Sequence, residues 1–222
     1  MDNTGAFQKD ILILIPAAGY GSRVGSPPAK ELLLHPKTQK PFIVEALAKI
    51  PHPKSQVLVI SRREKLGFNQ FLQKYEIPTL ILDQPTKEWP DTLLKSEPHW
   101  REWNFILLPD TDYEPADSLL KLVEKSKQTS AKALFAVFDV SDLSTWGAVS
   151  QSARQICEKP QNKLPVDQWK AWGLFAFHKS VGRELLEKML ESTLGHQIFD
   201  LSFAFDLISL NSFDDLTRGT PK

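Results

Sequence analysis

Apolar residues run unbroken from Ile11 to Ile15, closed by Pro16, and again from Val57 to Ile60. Such runs, with no polar alternation, are what a strand buried on both faces of a sheet requires. Further strand-like runs stand at 79–83, 104–110 and 132–139. Between them the apolar positions take helical spacing: Phe42, Ile43, Ala46, Leu47 and Ile50, stopped by Pro51 and Pro53, then a stretch from Glu64 to Tyr75, then one from about 116 to 128. This alternation predicts a Rossmann-like, doubly wound α/β fold, with a mostly parallel mixed sheet flanked by helices and right-handed crossovers.

The rhythm changes after about residue 140. Ala148-Val149-Ser150, Gln155-Ile156-Cys157 and Leu174-Phe175-Ala176-Phe177 read as short strands, and helices are expected near 180–193 and 199–209. No glycine-serine linker divides the chain. The reading is a single domain over 1–222, with a nucleotide-type half over about 8–140 and a mixed half over about 141–222 laid on the same sheet edge.

Composition narrows the function. With 27 Lys+Arg against 27 Asp+Glu the formal charge is zero, so no global field draws the chain to nucleic acid or to an acidic membrane. The single cysteine, Cys157, has no partner for an internal disulfide, which suits a reducing compartment. The N-terminus carries no basic segment, and the apolar run from Ile11 to Ala18 is too short to span a bilayer. A cytoplasmic protein is expected. Six tryptophans and thirteen phenylalanines suffice for an interface between copies, a homo-oligomer, as well as for the core that ordinarily takes them.

Three stretches carry candidate chemistry. In Ala17-Ala18-Gly19-Tyr20-Gly21-Ser22-Arg23, directly after the first strand, the glycines let backbone N–H groups approach a phosphate, and Arg23 adds a cationic fork. Lys30 follows within reach of the same polyphosphate. The dinucleotide fingerprint fails here, since Val24 stands where its third glycine belongs, and a P-loop lacks its Gly-Lys-Ser/Thr. The second stretch, Leu107-Leu108-Pro109-Asp110-Thr111-Asp112, ends a buried strand in a carboxylate, where open α/β sheets bind ligands. Its oxygens suit Mg²⁺, although a helix-capping acid looks the same in sequence. The third comprises Trp146-Gly147, Glu158-Lys159-Pro160 and Trp172-Gly173, with glycines interrupting apolar strands, a sign of a bulge or of close ligand approach. The five histidines (35, 52, 99, 178 and 196) show no ligand or dyad spacing and read as surface or capping residues.

Taken in order, these blocks resemble the sugar-phosphate nucleotidylyltransferases, the nucleoside-diphosphate-sugar pyrophosphorylases of the glucose-1-phosphate thymidylyltransferase type. That family's signature is a strand leading into A-A-G-x-G-(T/S)-R and then (P)-K-x-L-L. Here it stands as Ala17 to Arg23 and Ala29-Lys30-Glu31-Leu32-Leu33, followed by Lys40-Pro41-Phe42-Ile43, Gln84, Pro109-Asp110, Trp146-Gly147, Glu158-Lys159-Pro160 and Gly173. The resemblance implies transfer of a nucleotidyl group from a nucleoside triphosphate to a sugar-1-phosphate with release of pyrophosphate. It implies that Ala17, Ala18, Gly19, Gly21 and Ser22 hold the nucleotide, with Gln84 on the base edge. Arg23 and Lys30 would serve the phosphates, Asp110 would hold Mg²⁺, and Asp215, or its neighbour Asp214, would be its second ligand. Gly147, Glu158 and Gly173 would line the sugar, and Lys159 would bind the sugar phosphate. The chain departs from the pattern where Ala29 replaces a proline and where 88–93 lacks the usual base-reading glycine. Alternatives are cytidylyl transfer to a non-sugar phosphate, a non-catalytic nucleotide-binding relative, and a glycosyltransferase whose Asp-x-Asp would be Asp110-Thr111-Asp112.

Overall fold

In the computed structural model, which describes residues 10–19, 29–50 and 56–217, the unbroken apolar runs become strands that divide their side chains between two cores. In β1 (Ile11–Pro16), Ile11, Ile13 and Ile15 enter one cluster while Leu12 and Leu14 enter the other. β2 (Val57–Arg62) splits the same way, Val57 and Val59 against Leu58 and Ile60. With both faces covered there is no solvent face to make polar, and the alternation disappears from the sequence. The first core is closed by α1 (Phe42–Ala48) and α2 (Leu66–Lys74) through Ile43, Ala46, Phe68 and Leu72.

β3 (Thr79–Leu82) pairs parallel to β2 and ends that side of the sheet. The chain returns through α3 (Trp89–Leu94), and β4 (Trp103–Ile106) joins the opposite edge of β1, again parallel. The strand order therefore reverses between β1 and β4, and a crevice opens at their C-terminal ends. β4 stops at Ile106, earlier than its apolar run suggests. The residues that follow turn into β5 (Thr111–Glu114), one half of a separate two-stranded sheet.

Then come α4 (Ser118–Ser126), packed on the first core, and β6 (Ala133–Phe138). β7 (Gly147–Ser150) and β8 (Gln155–Glu158) form an antiparallel hairpin, and the nine-residue β9 (Lys170–His178) runs antiparallel to β4, β6 and β7. One edge of β9 carries β4 and β7 in succession and the other carries β6. A strand from the second half of the chain thus lies between two strands of the first.

α5 (Lys179–Gly195) covers the second core through Leu185, Leu186 and Met189, together with Leu93 of α3. The helix expected over 199–209 is not formed. Those residues make β10 (Ile198–Asp200), an edge partner of β8, and β11 (Phe205–Ser209), parallel to β6. Phe205 is drawn into the second core beside Phe135, and that tertiary contact overrides the local helical spacing. β12 (Ser212–Asp215) then pairs antiparallel with β5. No helix among the described residues is long and apolar enough to cross a membrane.

Candidate active site

The crevice at the β1/β4 switch is a cleft of about 680 Å³, within the size range of small-molecule sites. Ala18 and Gly19 line it from the loop after β1, Lys30 from a short 3₁₀ turn (Lys30–Leu32), and Asp110 from the loop after β4. Gly147, Glu158, Lys159, Trp172 and Gly173 line the same cleft. Asp215 arrives through the β5–β12 ladder, where it pairs with Thr111, and Leu216 N donates to Asp110 O at 3.0 Å. Asp214, on the alternate face of β12, is exposed and does not line the cleft.

Lys30 Nζ lies 2.6 Å from Oδ2 of Asp110. Burial alone would lower the pKa of this lysine. The charge and hydrogen bond of Asp110, with Glu31 and Asp215 behind it, outweigh burial and raise it, so the ammonium stays charged. Asp110 and Asp215 both line the cleft, and their hard carboxylate oxygens fit a small divalent ion that takes its remaining ligands from phosphates and water. Asp112 is not part of this set. It turns to Lys49 at 2.7 Å and lies 3.7 Å from His35 Nε2, so the Asp-x-Asp pattern is divided between two environments.

At the far end, burial pushes the Glu158 carboxyl up to about 8, with Lys159 pulling it partly back. Glu158 Oε1 and the indole Nε1 of Trp172 are both buried and have no hydrogen-bond partner among the described residues. The two glycines here answer to protein packing. A Cβ on Gly147 would overlap the Trp172 indole and stand 2.5 Å from Glu158 Oε1, and one on Gly173 would enter the ring of Phe213. Gly173 is also the residue skipped where the β6–β9 register shifts, a bulge.

Two other expected residues, Ala17 and Gln84, do not line the cleft. Ala17 is buried, its N–H bonded to Ile60 O and its carbonyl to Lys65 Nζ, so both backbone groups are used within the protein. Gln84 is exposed and does not line the cleft. Gly21, Ser22 and Arg23 lie outside the described residues.

Glu88, Trp89 and Thr92, from the 88–93 segment that lacks the base-reading glycine, line the cleft at the start of α3, and Trp89 packs edge-on against Trp172 at 5.6 Å. Thr86 and Lys87, just before them, also line it and carry no sign of this in the sequence. Behind the Lys30 turn, Lys65 places Nζ 2.8 Å from both oxygens of fully buried Glu31 and 2.7 Å from Ala17 O. That contact ties the loop after β1 to the turn that presents Lys30. The sequence holds no sign of it beyond an acid next to Lys30 and a lysine opening a helix.

The sequence matches no family model and no curated protein. Its fold is similar to a solved structure from Bacillus anthracis, described as a glucose-1-phosphate thymidylyltransferase in complex with sucrose, at a TM-score of 0.66 and 18% identity over 94% of this chain and 91% of that one. The two chains share a mixed α/β sheet, mostly parallel at its centre and flanked by helices.

Proposed function

We propose that this protein is a nucleotidyltransferase that joins a sugar-1-phosphate to a nucleoside triphosphate and releases pyrophosphate. One observation carries the reading: Gly19, Lys30, Asp110, Asp215, Glu158 and Lys159, drawn from five separate parts of the chain, rim a single cleft at the switch point of the sheet. The similarity in fold to a protein described as a glucose-1-phosphate thymidylyltransferase supports the same reading. It also makes thymidine triphosphate with glucose-1-phosphate the first pair to test.

The chemistry asks little of a proton-transfer group. A phosphate monoester is already nucleophilic at neutral pH, and no histidine or cysteine lines the cleft among the described residues. Catalysis then rests on alignment and on neutralising phosphate charge. Ala18 and Gly19 offer open backbone to the triphosphate; a Cβ at Gly19 would meet nothing within 4 Å. Lys30 would serve the donor phosphates and Lys159 the acceptor phosphate, so each reacting group would meet its own cation in the cleft. Asp110 and Asp215 would hold Mg²⁺, which supplies positive charge to the triphosphate when bound. A sugar hydroxyl, both donor and acceptor, is the group that would satisfy the unpartnered Glu158 Oε1 and Trp172 N–H.

Pyrophosphate release over four nucleoside triphosphates and a panel of hexose-1-phosphates, polyol phosphates and choline phosphate, with magnesium, tests the proposal. Release that requires a hexose-1-phosphate is the expected result. Release only with a non-sugar phosphate would move the protein to cytidylyl-type transfer. Nucleotide binding without release under any acceptor would make it a non-catalytic relative.

A further inference from the structure

Three consecutive residues, Cys157, Glu158 and Lys159, the last two of which line the cleft, are fastened to the end of α5 and the residues just after it. Fully buried Ser192 accepts a hydrogen bond from Glu158 N at 2.7 Å and donates from the same hydroxyl to Gln197 O at 2.7 Å. Cys157 Sγ approaches His196 O at 3.8 Å. His196 Nδ1 lies 3.0 Å from Lys159 O. A carbonyl only accepts, so the ring carries a proton on Nδ1 to make that bond.

Lys159 is held in an uncommon conformation. Its φ is 49°, in the left-handed region that a non-glycine residue enters at a cost of about 1–2 kcal/mol. Both of its backbone polar groups are taken, the N–H by Trp146 O at 3.0 Å and the carbonyl by His196. Backbone outliers that surrounding bonds over-determine are characteristic of functional sites. This one lies where β8 leaves its hairpin and Lys159 enters the cleft. His196 is itself left-handed, at φ 54°, as the cap that ends α5.

We propose that His196, which does not line the cleft, is a positioning residue for Lys159. By bonding the Lys159 carbonyl it holds the left-handed turn that sends the lysine side chain into the acceptor end of the site. The inference rests on the reading of Lys159 as the cation for the acceptor phosphate. If Lys159 relaxed to an ordinary φ, its Cα–Cβ direction would swing and its charge would leave the phosphate position, while the nucleotide side of the cleft would be untouched.

Two variants test this. His196→Gly keeps the left-handed cap, which glycine adopts without strain, and deletes the ring. His196→Asn keeps the cap and returns a donor amide near the place of Nδ1. Loss of one hydrogen bond in His196→Gly is expected to raise the KM for sugar-1-phosphate about fivefold to tenfold, with the KM for nucleotide and the thermal midpoint unchanged. His196→Asn should restore most of it. An unchanged sugar-phosphate KM in His196→Gly, or equal rises in both KM values, overturns the inference.

Calorimetry with inorganic phosphate separates this inference from the proposed reaction, should the wild-type protein release no pyrophosphate. Phosphate affinity that falls with both Lys159→Met and His196→Gly supports the role of His196 even though the reaction fails. Affinity that falls with Lys159→Met alone overturns it. No binding, or binding indifferent to Lys159, overturns it together with the assignment of Lys159.

Discussion

Lys30 and Asp110, eighty positions apart in the chain, meet as a 2.6 Å ion pair at the cleft. The contact joins the turn after the first loop to the end of the β4 run, the two stretches that flank the reversal of strand order. The charge of Asp215 adds to that of Asp110 in keeping the lysine protonated despite its burial.

If Asp110 carries the divalent ion, Asp110→Asn should leave a folded protein, with Lys30 still facing Glu31 and Asp215, and lower magnesium-dependent pyrophosphate release about a hundredfold to a thousandfold. Circular dichroism checks the fold and a coupled phosphate assay checks the rate. Undiminished release from the folded variant would remove Asp110 from the reaction.

Glu158 should make stability depend on pH. Its carboxyl titrates near 8 in the folded protein, against an ordinary value of 4.5, because burial disfavours the charged form. Below about pH 4.5 the group is protonated in both states and contributes no penalty. As pH rises from there through 8, the unfolded chain loses the proton first and stability falls; above 8 the loss is constant. Glu158→Gln should therefore have a higher thermal midpoint than wild type at pH 8–9, with the gap closing below pH 4.5. A pH-independent difference would show that the carboxyl is not so perturbed.

Gly147→Ala tests the tight packing at the acceptor end. The added methyl would meet the Trp172 indole and Glu158 Oε1. Overpacking of this kind costs about 1–3 kcal/mol. Displacing those two side chains should also raise the KM for the acceptor more than the KM for nucleotide. Thermal unfolding and steady-state kinetics measure both.

Lys65 and Glu31 form the buried pair behind Lys30. Lys65→Met strands the Glu31 carboxylate in the interior and should cost about 3–5 kcal/mol in denaturant unfolding. Adding Glu31→Gln should recover part of that loss, a coupling that a double-mutant cycle reads directly. If the two substitutions simply add, the pair is not a coupled element.

Much of the fold was legible because its signals are local. The runs at Ile11–Ile15 and Val57–Ile60 are apolar at every position for the reason that both faces of those strands are covered, and no other element of that length needs such a run. Residues 199–209 were misread as a helix because their apolar positions suit more than one period. The decision came from a partner far away in sequence, β6, and from the ring of Phe135. Lys65, Ser192 and His196 left no trace either. Each acts through a contact with residues 34 to 48 positions distant, and a lone lysine, serine or histidine carries no spacing to betray it.

The sequence by itself determined the alternation of strands and helices, the glycine turn after β1, and the kinds of side chain available for phosphate and metal, because periodicity and motif are properties of neighbouring residues. The tertiary structure alone decided that β9 lies between β4 and β6, that Asp215 rather than Asp214 lines the cleft with Asp110, and that Asp112 turns away to Lys49. Those outcomes depend on strand register and sheet order, which packing between distant segments selects. In a pleated strand, one residue of register is enough to send a carboxylate into the cleft or out of it.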